Sequence, residues 1–286
     1  MDTLALLTKA KKEGYAIGAF NAANLETLKA ITQAAAKLNS PIIIEASDGE
    51  VNFLGKKEAV ALIQAFREEL NIPIILNLDH AQNLASCEDA INEGFDYIHF
   101  DGSKLPYEEN LEITKKIVAI AKPKNIPVEG EIDHIQGSSA DHRDQSVVAE
   151  QKKELYTNPQ RAKEFVEATG ITTFASFIGN AHGLYSGAKR IDLGLLTKIA
   201  QTLPDTFLSL HGGSGIPDDD IKGAVARGIV KINVKSELRV AFHDALKEVI
   251  NTSDEVAVYK IMPKAIEAVQ IIVEEKIKLF GSEGKA

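Results

Sequence analysis

Three histidines stand where they can do chemistry. His80 follows the run "PIILNLD", His182 lies in "FASFIGNAHG", and His211 closes "FLSL" ahead of "GGSG". An imidazole can give a lone pair to a metal, relay a proton near neutral pH, or sit hydrogen-bonded in a core, as a lone histidine commonly does. Three that each end a short apolar run beside glycine or a carboxylate are a different case. If those runs are strands whose ends converge, the rings meet although they are about 30 to 100 residues apart. Three imidazoles with a fourth position open form the ligand set of a catalytic zinc ion. Glu131, in "PVEGEI", can add a permanent or transient ligand. Asp101, after "YIHF", can stand behind the ligands or hold a second cation.

The elements that must position these groups can be read from the same sequence. Eight short β-rich runs alternate with helical patterns: Ala16–Phe20, Pro41–Ser47, Pro73–Asp79, Tyr97–Ser103, Pro127–Asp133, Thr172–Ile178, Phe207–Gly212 and Gly228–Val234. Most are continuously apolar, as strands covered on both faces are. The helical pattern "NLETLKAITQAAAKL" puts Leu25, Leu28, Ile31 and Ala35 on one stripe. Eight strand–helix units in 286 residues predict an α/β fold, a (β/α)8 barrel spanning 1–286 as one domain. The long apolar segment "IEAVQIIVEEKI" near the end predicts a C-terminal helical extension covered on more than one side. The longest irregular stretch, 134–157, is polar and reads as an active-site lid.

A barrel places its chemistry at the C-terminal ends of its strands. Those ends carry Asn21, Ser47, Asp79-His80, Asp101, Glu131, the "GNAHG" segment with Gly179 and Gly183, His211 with Gly212, Gly213 and Ser214, and Asn233 followed by Ser236. The glycine loops after the seventh and eighth strands predict a phosphate cradle of backbone N–H groups and a helix N-terminus. Asp218 to Asp220 read as solvent-facing charges on the first turn of a helix. His99 reads as a packing or lining residue, His243 as a surface one, and Cys87 as a buried, inert thiol.

Composition narrows the partners. The net charge is −9 with no long basic block, which argues against nucleic acid and anionic membranes. No run of about 18 apolar residues predicts a membrane span. One cysteine and no signal-peptide layout predict a cytoplasmic protein.

Ten stretches carry a resemblance to a known family. "AFNAANLETLKAI", "PIIIEAS", "NLDH", "GFDYIHFDGSKLPYEENLEITK", "PVEGEI", "YTNPQRAKEFVEATG", "IGNAHGLYSG", "LHGGSGIPDDDI", "KINVKSELRVAF" and "EEKIKLFGSEGKA" run in order through almost the whole chain. They resemble the class II, metal-dependent fructose-bisphosphate aldolases, and more closely the tagatose-bisphosphate branch. The resemblance implies one catalytic Zn2+ per chain on His80, His182 and His211, with Glu131 associated with the metal, and admits a monovalent cation beside it. It implies Asp79 as the acid/base at the C4 oxygen of a phosphorylated ketose, fructose 1,6-bisphosphate or tagatose 1,6-bisphosphate. Asn21, Ser47, Gly179, Gly183, Gly212, Gly213, Ser214, Asn233 and Ser236 then belong to the substrate and phosphate surround. It also implies a homodimer or homotetramer.

Three departures qualify the match. Where relatives carry a lid glutamate and aspartate, this chain has Ser139 and Ala140, so Asp141 and then His142 are the expected proton-transfer groups of the lid. Relatives usually carry an Asp-Pro-Arg whose arginine reaches a phosphate; "SDEVAVYK" lacks it. Ser47-Asp48 runs into Gly49-Glu50, an acidic approach unwelcoming to a second phosphate. Rival readings are a Schiff-base aldolase using Lys231, another metal-dependent lyase on the same site, and a non-catalytic sugar-phosphate-binding protein.

Overall fold

A computed structural model describes residues 2–144, 153–187 and 189–286. Its first half runs α1 (Thr3–Glu13), β1 (Ile17–Asn21), α2 (Leu25–Lys37), β2 (Ile42–Ser47), α3 (Asp48–Leu54), α4 (Lys56–Leu70), β3 (Ile74–Ala81), α5 (Leu84–Glu93), β4 (Tyr97–Asp101), α6 (Tyr107–Ala121) and β5 (Val128–Glu131). The second half runs β6 (Asp141–His142), α7 (Pro159–Thr169), β7 (Thr173–Ala175), β8 (Leu184–Tyr185), α8 (Leu193–Thr202), β9 (Phe207–Leu210), α9 (Asp218–Val225), β10 (Ile229–Val234), α10 (Ser236–Thr252) and α11 (Val258–Phe280). Eight of the strands close into a parallel barrel in the order β1-β10-β9-β7-β5-β4-β3-β2, each pair in parallel register. The expected (β/α)8 barrel is therefore present.

Local signals explain the helix boundaries. Asn24 and Thr27 form a capping box at the start of α2, and Leu28, Ile31 and Ala35 of its stripe are buried. Asp2 caps α1 through the Ala5 N–H at 3.0 Å, and Gly14 ends it at φ 71°. Leu7 and Ala10 of α1 pack under Ile17, Ile43, Ile75 and Val230, sealing the N-terminal mouth of the barrel. The opposite mouth is left for chemistry. Helix α11 buries Val269, Val273, Ile277 and Phe280, lying mainly against α2 and α10, while Ile271 is about half exposed at 52%. One face is thus covered by its own chain. Among the described residues, no helix is long and apolar enough to cross a membrane.

Two boundaries differ from expectation for a functional reason. Strand β3 does not stop at Asp79; it runs to Ala81, with its register to β4 shifting between Leu78 and Ala81. Within that irregularity His80 takes φ 52°, a left-handed conformation costly for a side chain with a Cβ. Strand β7 is only three residues, Thr173–Ala175, because the chain leaves the barrel early to form the loop bearing His182. The expected lid at 134–157 is described only in part, since 145–152 lie outside the described residues. Its first half pairs Asp141–His142 with Leu184–Tyr185, and His142 stacks on Tyr185 at 5.0 Å.

Candidate active site

Four imidazoles meet at the C-terminal mouth of the barrel. The ring of His80 lies 4.7 Å from that of His211, 5.0 Å from His182 and 4.5 Å from His99, centre to centre. His80 Nδ1 faces Asp101 Oδ2 at 3.0 Å, and His211 Nε2 faces Glu129 Oε1 at 2.7 Å. Ionised carboxylates only accept, so each imidazole spends its N–H outward. The remaining nitrogens, His80 Nε2 and His211 Nδ1, face each other 3.0 Å apart. Two lone pairs aimed at one another need something positive between them, either a proton or a cation. Two nitrogens on one tetrahedral zinc ion stand about 3.3 Å apart for Zn–N bonds of about 2.05 Å. The donors of Asp79, His80, His99 and His211 lie close enough together to hold a divalent ion, while the ring of His182 stands further off, 5.0 Å from that of His80 and 6.3 Å from that of His211. The outward partners are the carboxylate–histidine arrangement that fixes ligand tautomers.

Electrostatics follow the same geometry. Burial pushes the pKa of His211 down to about 3, and burial with the neighbouring His80 holds His182 well below its ordinary value. At His80 burial also disfavours charge, but Asp79, Asp101 and Glu131 together outweigh it and the pKa rises. Burial opposes ionisation of Asp79, yet His80, His99 and Lys235 keep its carboxyl well below the usual range. Asp79 is therefore a carboxylate at neutral pH, 2% exposed. Its two oxygens accept from Asn21 Nδ2 at 3.0 Å and Asn233 Nδ2 at 3.3 Å. The carbonyl oxygens of both amides are buried with no partner among the described residues, so they remain acceptors for a bound hydroxyl.

A cleft of about 320 Å3 opens onto this cluster. Asn21, Asp79, His80, His182, Gly183, His211, Gly212, Ser214, Asn233 and Ser236 line it, ten of the residues singled out from sequence. Gly212 is at φ 63°, where a Cβ would lie 2.3 Å from the Ala181 carbonyl oxygen, so glycine is required. Ser214 Oγ accepts from the N–H groups of Lys235 and Glu237, both at 3.3 Å, and so ties the β9 loop to the N-terminus of α10. Ser236 opens that 17-residue helix.

Other predicted residues stand behind the cleft. Asp101 is the partner of His80, and its second oxygen is tied to Ser103. Glu131 is 1% exposed; one oxygen accepts from Ile135 N at 3.4 Å, and Oε2, without a hydrogen bond, lies 4.0 Å from His80 Nδ1. Ser47 caps α3. Gly213 packs on the Asn233 carbonyl, and Gly179 faces Tyr156 and the Arg190 carbonyl.

Several expectations need correction. Asp141, expected to supply a proton-transfer group, is turned away: its carboxylate holds Arg143 at 2.7 Å, which also reaches Asp244. His142 is held by Ser138 Oγ at 3.0 Å and by the stack on Tyr185. The lid residue on the cleft wall is Ser139, which is no base near neutral pH. Asp220 does not face solvent; it is 7% exposed, accepts the Ile191 N–H at 3.2 Å and pairs with Arg190. Lys231 is fully buried between Glu45 at 3.0 Å and Glu129 at 2.7 Å, which raise its pKa against burial. A protonated, clamped amine is not a Schiff-base nucleophile, which removes that rival.

Sequence reasoning missed four participants. His99 is fully buried, and its Nδ1 accepts the backbone N–H of His80 at 3.2 Å, holding the strained ligand position. Lys235 lines the cleft, and Arg239 stands at its mouth. Lys189, 6% exposed, donates to the carbonyls of Ala181 at 2.9 Å, Gly183 at 2.9 Å and Gly212 at 3.0 Å. Its ammonium ties the His182 loop to the His211 loop.

Comparison with known proteins agrees with this geometry. A barrel with a histidine and carboxylate cluster at its C-terminal mouth offers donors that could hold a metal ion. The family model described as fructose-bisphosphate aldolase class-II matches residues 1–285, and the chain belongs to that family. It is 34% identical over 281 residues to the D-tagatose-1,6-bisphosphate aldolase subunit GatY of Klebsiella oxytoca, covering 98% of this chain and 97% of that one. Among solved structures it is similar to the YdjI aldolase of Escherichia coli K12, at 32% identity and TM-score 0.83, over 99% of this chain and 97% of that one. A putative fructose-1,6-bisphosphate aldolase of Coccidioides immitis matches at 27% identity and TM-score 0.85, with the same coverage of 99% and 97%.

Proposed function

We propose that this class II aldolase uses one zinc ion, held by His80, His182 and His211, to cleave a phosphorylated ketose into dihydroxyacetone phosphate and an aldehyde. The observation that carries the reading is the opposed pair of ring nitrogens, His80 Nε2 and His211 Nδ1, each fixed from behind by a carboxylate. When bound, the ion supplies a Lewis acid that draws electron density from the ketose carbonyl.

The chain's own residues supply the rest. The glycine loops of His182 and His211, with Ser214 and Ser236 at the start of α10, hold the phosphate beside the three-carbon half. Asn21 and Asn233 orient Asp79 and offer their carbonyl oxygens to substrate hydroxyls. Asp79 takes the proton of the C4 hydroxyl. The C4–O bond becomes a carbonyl, the C3–C4 bond breaks, and its electron pair passes into the carbonyl system of the three-carbon fragment. A proton from solvent on the former C3 completes dihydroxyacetone phosphate, while Asp79 releases the proton it took. The described half of the lid, with Ser139 on the wall, covers this end of the cleft. Relatives named for tagatose and fructose bisphosphates support the ketose phosphate class.

The test is release of dihydroxyacetone phosphate from fructose and tagatose phosphates, coupled to an indicator dehydrogenase. Activity is expected to vanish on chelation and return with Zn2+. Full activity in verified metal-free protein would falsify the reading. A homodimer or homotetramer is part of the same proposal, supported by exposed Ile250, Val256, Val258 and Tyr259 around the α10–α11 turn. Light scattering that finds only monomer at micromolar concentration contradicts it.

A further inference from the structure

We infer that the substrate carries a single phosphate, and that its other end is uncharged. This rests on the aldolase reading above and concerns the end of the cleft away from the glycine loops. Glu50, 7% exposed, lines the adjoining groove, which meets the cleft at Asn21. Its Oε2 accepts from Asn21 Nδ2 at 3.0 Å, Ser47 N at 3.0 Å, Ser47 Oγ at 2.7 Å and Lys235 Nζ at 3.2 Å. Its Oε1 accepts from Arg239 Nη2 at 2.8 Å.

A plain structural account covers only part of this. Ser47 and Glu50 form a capping box for α3. That box needs neither Asn21, nor Lys235, nor Arg239, which arrive from β1, the end of β10 and α10. Asn21 joins Glu50 to Asp79 through one amide nitrogen, 3.0 Å from each carboxylate. The two cations that could receive a distal phosphate are thus both already held by Glu50. The guanidinium of Arg239 is further committed to the Ser139 carbonyl at 3.0 Å.

A second phosphate would bring a dianion against Glu50 and displace it from the Ser47 N–H and Lys235. Such like-charge contact is how a site rejects an otherwise fitting ligand. Beyond Glu50 the groove continues between Phe53, Leu238 and Phe242, with Phe53 78% exposed. An apolar wall beside a satisfied carboxylate suits a hydroxyl-bearing or deoxygenated chain end. The substrate class is therefore a ketose 1-phosphate.

The experiment compares kcat/KM of the zinc-loaded enzyme on fructose and tagatose 1-phosphates against the matching 1,6-bisphosphates. The parent enzyme is expected to favour the monophosphates by about tenfold or more. Glu50→Gln keeps the shape, frees Lys235 and Arg239, and is expected to shift that ratio toward the bisphosphates by a similar factor, mainly through KM. Arg239→Ala should move the ratio the other way. A parent enzyme that prefers the bisphosphates, or a ratio unmoved in Glu50→Gln, overturns the inference. Calorimetric binding of the same four sugars to the holoenzyme decides it separately. If no sugar is cleaved, the aldolase reading fails; tighter binding of monophosphates would still support the Glu50 assignment, and tighter binding of bisphosphates would refute it.

Discussion

The barrel holds two buried clusters of charged and titratable groups, one above the other, and they are built differently. In the floor, Lys231 is clamped by Glu45 and Glu129, Asn77 donates to Glu45 at 2.7 Å, and Ser209 donates to Glu129. Charges there meet charges of the same chain. At the rim, His80 and His211 turn ring nitrogens toward each other, and Glu131 Oε2, Asn21 Oδ1 and Asn233 Oδ1 have no hydrogen-bond partner. Burying a polar atom without a partner costs stability. The floor carries such a cost too, at Asn77 Oδ1, but the unpaired amide oxygens of the rim stand on the wall of an open cleft, where a ligand can reach them. A buried cation clamped by two carboxylates marks the structural cluster, and opposed ring nitrogens at an open cleft mark the chemical one.

The comparison can be broken at several points. His211→Ala removes one of the two opposed nitrogens and is expected to lower turnover by roughly 10⁴-fold or more, since several kcal/mol of charge stabilisation goes with the ion. Circular dichroism should show the fold intact. Asp79→Asn keeps size and hydrogen bonding but removes the base, so kcat should fall by about 10²–10⁴-fold with ion content unchanged. An Asp79→Asn enzyme with parental kcat removes Asp79 from the mechanism.

In the floor the expected loss is in stability. Lys231→Met leaves Glu45 and Glu129 buried without their cation, a cost of about 3–5 kcal/mol by urea unfolding. Burial pushes the Glu45 pKa up to about 8, so that carboxyl is mostly neutral at pH 7 and the charge left uncompensated is chiefly that of Glu129, which puts the loss at the lower end. Glu129 joins the two regions, with one oxygen on His211 and the other on Lys231. Glu129→Gln should weaken zinc affinity by about 10–100-fold, read by competition with a chelating dye.

The sequence made one region far more legible than the other. Asn21, Asp79, His80, His182, His211 and Asn233 stand out because each ends an apolar run, and strand ends of a barrel converge. The glycines at 183 and 212 stand out because their backbone conformations exclude other residues. The floor gave no such signal, since Glu45, Glu129 and Lys231 lie inside strands and gain meaning only from the strands beside them. Lys235 and Arg239 follow β10 in an ordinary helical pattern, and their role comes from Glu50, nearly 190 residues earlier. The partners of Asp141, Arg143 and Asp244, are two and about 100 residues away, with no pattern to announce them. The end of β3 was misread because a register shift at His80 leaves no mark in hydrophobic periodicity.

The most direct test is the zinc content of dialysed protein, counted by mass spectrometry for the parent, His80→Ala, His211→Ala and Lys231→Met. The account predicts about one ion per chain in the parent and in the floor variant, and close to none in either rim variant. A full complement of zinc retained in both His80→Ala and His211→Ala would contradict it.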